Sequence, residues 1–150
     1  MKNLPIKILA TGFGLGYSPL MPGTCGSLLG VLLFTLLRNQ PKGYLVGLAV
    51  LVTLVAIVIA HQAEKVFGKK DAQTIVIDEV AGQLITYLFI PFTLTNLVVG
   101  FVLFRFFDII KLFPARWVQD NMRGGLGVVG DDVVAGVQGG IILFVIGCWL

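Results

Sequence analysis

The chain has 150 residues, of which 57% are hydrophobic and 13% charged, against an apolar share of about 45 to 50% in soluble proteins. A net charge of +3, with eleven basic residues spread through loops rather than clustered with aromatics, argues against nucleic acid and leaves lipid headgroups as the anionic partner. The length fits one domain, residues 1–150, and the composition is that of a membrane protein.

In chain order, the opening MKNLPIKILATGFGLG has two lysines but too little apolar core for a secretory signal peptide. The loop Thr11 to Ser27 (TGFGLGYSPLMPGTCGS) is rich in glycine and hydroxyls and could present backbone amides to phosphate. Its GFGLG lacks the third glycine of a dinucleotide fingerprint, and no GK[ST] follows. Thr24 and Ser27 could instead cap the first membrane helix.

Four apolar regions follow: Cys25 to Leu37, Tyr44 to Ala60, Ile75 to Phe107 and Val133 to Leu150. The third would run roughly 50 Å as a single helix, against a hydrocarbon core of roughly 30 Å. Pro91 breaks it, and Pro91 to Asn96 (PFTLTN) supplies turn and capping residues, which predicts a helical hairpin. The expected fold is therefore all-α and polytopic, with about five membrane segments.

With the amino terminus in the cytoplasm, Lys2, Lys7, Lys65, Lys69, Lys70, Arg105, Lys111, Arg116 and Arg123 lie inside, and only Arg38 and Lys42 outside. That is the asymmetry of the positive-inside rule, and leaving the third region as one span would spoil it. All eight acidic residues fall on the same inner side. Between Pro114 and Arg123, the polar stripe Arg116, Gln119, Asp120 and Arg123 opposes Ala115, Val118 and Met122. This predicts a short interfacial helix anchored by Trp117, with Tyr44 and Trp149 at the outer surface. Cys25 and Cys148 fall on opposite sides of the membrane, so no disulfide is expected.

Five carboxylates abut apolar segments: Asp78 and Glu79 in IVIDEVAGQ, Asp108 in FRFFDIIK, and Asp131 and Asp132 in GVVGDDVVAG. A carboxylate facing lipid costs a few kcal/mol even on the mildest scale. The five should instead converge on a polar cavity at the inner boundary, where their charge calls for a cation. Oxygen ligands without a cysteine or histidine cluster favour Mg²⁺. Adjacent acids on a helix diverge by about 100°, so one of each pair could ligate metal while its neighbour orients water or a basic group. Against this stand capping by Asp131 and Asp132 at a helix start and plain solvation of Asp78 and Glu79. Arg105, Asp108 and Lys111 share one helix side at i, i+3 and i+6. The two cations could hold phosphate there, or pair with Asp108. His61 ends the second span and reads as a boundary residue.

The motifs GFGLGYSPLMPGTCGSLLG, IVIDEVAGQ, FRFFDIIKLFPARW and GGLGVVGDDVVAG, in this order and spacing across nearly the whole chain, resemble the phosphatidylglycerophosphatase A family. The resemblance implies Mg²⁺-dependent removal of phosphate from phosphatidylglycerophosphate, giving phosphatidylglycerol in the bacterial inner membrane. It puts Asp78 and Glu79 in the family's DE motif, Asp108 and Lys111 in its FR..D..K motif, and Asp131 and Asp132 in its DD motif, with Arg105 and Thr24 matching. Two motifs depart: Leu112-Phe113 replaces Pro-Trp in a common KPWP form, and Cys25 replaces Trp in PGTWGS. Neither removes a charged group. The implied mechanism sets Mg²⁺ between the carboxylates and the terminal phosphomonoester, with Arg105 and Lys111 neutralising the remaining oxygens. Water and a carboxylate both stay open as the nucleophile. The rival classes are a small ion-coupled transporter and a non-enzymatic assembly protein. A transporter should carry ionisable groups near mid-membrane between inverted repeats, and neither feature occurs here.

Overall fold

The computed structural model describes residues 3–19, 21–88 and 90–147. The expectations for Lys2, Cys148 and Trp149 fall outside these residues. Among the described residues the chain is all-α, with seven helices and no strand: α1 (Leu4–Ala10), α2 (Pro22–Leu36), α3 (Lys42–Phe67), α4 (Ile77–Thr86), α5 (Leu94–Ile110), α6 (Ala115–Asn121) and α7 (Gly125–Gly147). A single 3₁₀ turn, Leu15–Tyr17, lies between α1 and α2.

The long helices carry small residues inward and large ones outward. On α3 the buried positions are Ala49, Ala56, Ala60 and Ala63, while Val50, Leu51, Leu54 and Val58 are exposed. On α7, Gly127, Ala135, Gly136, Gly139 and Gly140 face in, while Ile141, Phe144 and Val145 face out. This inversion is the pattern of helices packed in lipid, where close backbone approach drives association and outer side chains meet acyl tails. Of the described helices, α3 and α7 are long and apolar enough to cross a membrane. At about 1.5 Å per residue they run roughly 39 and 35 Å, whereas α4 runs only about 15 Å. The remaining apolar segments form helices where expected but are shorter than a full straight span, α2 having 15 residues and α5 having 17.

The short α4 is the centre of the bundle, enclosed by α2, α3, α5 and α7. Its crossings depend on missing side chains. A Cβ at Gly26 of α2 would lie 2.7 Å from the Val76 carbonyl, and one at Gly30 would lie 2.8 Å from Gln83 Cβ. At the crossing with α7, Gly136 rests directly on the Gly82 carbonyl. There Thr86 Oγ1 donates to the carbonyls of Gly82 and Gly136, at 3.1 and 3.3 Å. The hairpin forms as its sequence predicts. Thr93 caps α5 by accepting from the Asn96 amide at 3.0 Å, and Asn96 Nδ2 donates to the Pro91 carbonyl at 2.9 Å. The buried Tyr87 closes the turn by donating to the Leu97 carbonyl at 2.7 Å and stacks on Phe34.

Arg38, just beyond α2, lies 5.3 Å from the Phe92 ring centroid, so the end of α2 and the hairpin turn share one end of the bundle. The acidic residues occupy the other. α6 is a surface helix with Ala115 and Val118 buried and Arg116, Trp117 and Asp120 exposed, but it ends at Asn121, and Met122, expected on the buried face, is exposed beyond it with Arg123.

Two expectations are corrected. Neither Thr24 nor Ser27 caps α2, because the helix already starts at Pro22, where proline's missing N–H costs nothing. Ser27 Oγ instead donates back to the Gly23 carbonyl at 2.9 Å. Asp131 and Asp132 do not open a helix either. α7 begins at Gly125, after Gly124 turns the chain at φ +63, so the two acids lie in its second turn and capping does not account for them.

Candidate active site

At the acidic end of the bundle lies an open cavity of about 610 Å³, within the range of small-molecule sites. Asp78, Glu79, Asp108, Asp131 and Asp132 all line it, with Arg105 and Lys111. Three elements bring them there. Asp78 and Glu79 sit in the first turn of α4, where the unpaired amides and the helix dipole favour negative charge. Arg105 and Asp108 come from the last turns of α5, and Lys111 from the left-handed residue that ends it (φ +51). Asp131 and Asp132 come from α7.

The five carboxylates divide into two sets. Asp78, Glu79 and Asp132 each present an oxygen, and these oxygens lie within 4.8 Å of one another. Asp108 and Asp131 are held by cations: Arg105 Nη1 donates to Asp108 Oδ2 at 2.5 Å, and Lys111 Nζ to Asp131 Oδ2 at 2.5 Å. The pair Asp131 and Asp132 thus splits between a basic partner and the carboxylate cluster, as the divergence of helical neighbours allows. Asp78 and Glu79 do not split. Both join the cluster.

Burial alone would lower the affinity of the Lys111 ammonium for its proton, but the Asp131 carboxylate outweighs that effect and holds its pKa above the ordinary lysine value. The ammonium is therefore charged at neutral pH. Arg105 also reaches Ser27 Oγ, at 3.4 Å.

A divalent cation fits the cluster. Asp78 Oδ1 and Glu79 Oε2 are buried with no hydrogen-bond partner, a costly condition that cation ligation relieves. The donors are all oxygens, and neither histidine nor cysteine lines the cavity, a set suited to Mg²⁺ rather than zinc. His61 is exposed and packs on Gly124.

Thr24 does not line the cavity, whereas its neighbour Gly23 does. A Cβ at Gly23 would collide with Glu79 Oε1 and lie 3.1 Å from Arg105 Nη1. Gly23→Ala is therefore expected to push both side chains aside and lower kcat/KM about 100-fold, the cost of misplacing reacting groups by about 1 Å. Phosphate-release kinetics, beside an unchanged thermal unfolding midpoint, would check this.

Asp71, Gln73, Thr74 and Ser18 also line the cavity, and sequence reasoning did not single them out. Asp71 adopts φ +48 and is pinned at both ends. Its amide donates to Glu64 Oε1 at 2.9 Å, and Gln119 Nε2 donates to its Oδ2 at 3.1 Å. It follows Lys69-Lys70 in a polar turn, with no local pattern to separate it from a solvated loop acid.

Comparison with known proteins adds an independent line. The family model described as "Phosphatidylglycerophosphatase A" matches residues 8–147. The chain is similar to the phosphatidylglycerophosphatase A of Escherichia coli (strain K12), at 39% identity over 147 residues covering 95% of this chain and 84% of that protein. It is similar to the Haemophilus influenzae protein of the same name at 38% identity over 149 residues, covering 97% and 91%. A Bacteroides thetaiotaomicron protein named putative phosphatidylinositol-3-phosphatase is 37% identical over 150 residues, covering 95% and 92%. No solved structure matches. With its motifs brought together in one cavity and the match running nearly end to end, the chain belongs to the phosphatidylglycerophosphatase A family.

Proposed function

We propose that this protein is a Mg²⁺-dependent phosphatidylglycerophosphatase of the bacterial inner membrane, hydrolysing the terminal phosphomonoester of phosphatidylglycerophosphate to phosphatidylglycerol and phosphate. The observation that carries this reading is the cluster of Asp78, Glu79 and Asp132 beside Arg105 and Lys111 in one cavity. Carboxylates for a cation next to two basic side chains for an anion suit a phosphate dianion better than either charge alone.

Bound among the three carboxylates, Mg²⁺ would supply positive charge and Lewis acidity to a phosphate oxygen. Arg105 and Lys111 neutralise the other oxygens as charge builds in the transition state, and Asp108 and Asp131 hold these two cations in position. Asp131 Oδ1 is buried and unpartnered, and we assign it the proton of the attacking water. The water oxygen bonds to phosphorus, the bond to the glycerol oxygen breaks, and that oxygen takes a proton to leave as the alcohol. We further propose that α2, α3, α4, α5 and α7 are the five membrane-embedded segments of one domain, α2, α4 and α5 spanning incompletely. The excess of inner lysine and arginine supports a cytoplasmic acidic face.

Purified protein in detergent should release phosphate from phosphatidylglycerophosphate with Mg²⁺, and excess chelator should abolish release. Phosphatidylinositol 3-phosphate, assayed in parallel, should be hydrolysed much more slowly. Release that survives chelation would overturn the metal assignment, and a preference for the inositol lipid would overturn the substrate.

A further inference from the structure

The loop between α1 and the 3₁₀ turn takes no part in the chemistry above, yet it holds three successive residues at positive φ. Gly12, Phe13 and Gly14 have φ of +54, +59 and +97. A bulky residue at such a φ is strained, and Phe13 recovers little by burial, being 76% exposed. The conformation is enforced by hydrogen bonds. Thr11 Oγ1 donates to the Lys7 carbonyl at 2.7 Å and accepts from the Gly14 amide at 3.1 Å. The Phe13 amide donates to the Ile8 carbonyl and the Gly16 amide to the Thr11 carbonyl, both at 2.8 Å.

Three cavities lie around this loop, each neighbouring pair sharing one lining residue. Tyr17 bounds the acidic cavity and also a second one, of about 330 Å³, which contains Lys7, Thr11 and Phe13. Phe13 in turn bounds a third, of about 260 Å³, sunk between α2, α3 and α4 and walled by Leu29, Leu33, Val52, Val55, Ile77 and Val80. Along the string the chemistry changes from clustered carboxylates with two cations, to a single lysine, to apolar side chains alone. Lys7 has no carboxylate partner among the described residues.

We propose that this string is the seat of the substrate's lipid part: Lys7 pairs with the phosphodiester joining the headgroup to diacylglycerol, and one acyl chain lies in the third cavity past Phe13. The proposal rests on the phosphatase reading above. A lipid with two phosphates presents a dianion, a monoanion and a hydrocarbon chain in that order, and the three cavities match each in turn. A free bilayer lipid would fit the apolar cavity but gives no role to Lys7 or to the acidic cavity beyond it.

Val55→Trp fills the third cavity from its rim. With dioleoyl phosphatidylglycerophosphate and its deacylated counterpart as substrates, the ratio of their kcat/KM values should fall about tenfold, a loss confined to the chain-bearing substrate. Lys7→Gln should raise KM for the lipid about tenfold with little change in kcat, as expected when uniform binding is lost. For a readout independent of turnover, wild-type protein is irradiated with phosphatidylglycerophosphate bearing a diazirine in one acyl chain. Label is expected on Leu29, Leu33 or Val55, displaced by unlabelled substrate and not by phosphatidylcholine. Displacement by both lipids alike, or label spread over the outer faces of α5 and α7, overturns the proposal. Wild type that fails to release phosphate from any of these substrates would instead overturn the phosphatase reading.

Discussion

Asp132→Asn is expected to lower kcat for phosphate release by about a thousandfold, the scale of removing a preorganised charge from a transition-state site. Asparagine keeps the volume of the side chain, so its place between α4 and α7 is retained and the thermal unfolding midpoint should change little. The charge is what is lost. Asp78, Glu79 and Asp132 come from two helices, and Asp132 is the contribution of α7. Without it a divalent ion faces only the two acids of α4, so the Mg²⁺ concentration giving half-maximal rate should rise steeply. If kcat fell while that concentration stayed fixed, Asp132 would belong to the phosphate side of the site rather than the metal side.

The sequence made this prediction available because charge inside an apolar run is conspicuous. Five acids beside membrane-length stretches had to meet something polar, and the cavity they share follows from the cost of the alternative. The hairpin was legible for the same kind of reason, since Pro91 and Thr93 interrupt a run too long for one span. Helix starts were harder to read. Asp131 and Asp132 follow Gly130 and so looked like caps, whereas α7 already starts at Gly125, where a Cβ would collide with the Ile57 carbonyl of α3. Gly23 is similar, its role fixed by Glu79 and Arg105 arriving from two other helices. Asp71 reaches the cavity only through partners far along the chain, Gln119 among them. In each case the determining contact is tertiary, and local periodicity carries no trace of it.

Lys111→Met separates what the basic pair does for the fold from what it does for catalysis. Lys111 is about a quarter exposed, but its partner Asp131 is almost fully buried. Removing the ammonium leaves a carboxylate without a counter-charge in a poorly solvated cavity, which should cost about 2 kcal/mol, discounted from the fully buried case because water reaches the lysine. The same change removes a cation from the phosphate site and should lower kcat/KM about a hundredfold. Adding Asp131→Asn resolves the two effects. The double variant has no stranded charge, so its unfolding midpoint in detergent should return close to that of wild type, while its activity stays low because the phosphate still lacks its cation and the attacking water has lost its base. Recovery of activity together with stability would mean that Lys111 serves only to neutralise Asp131 and that Asp131 is not the base. The anion would then depend on Arg105 alone, held by Asp108.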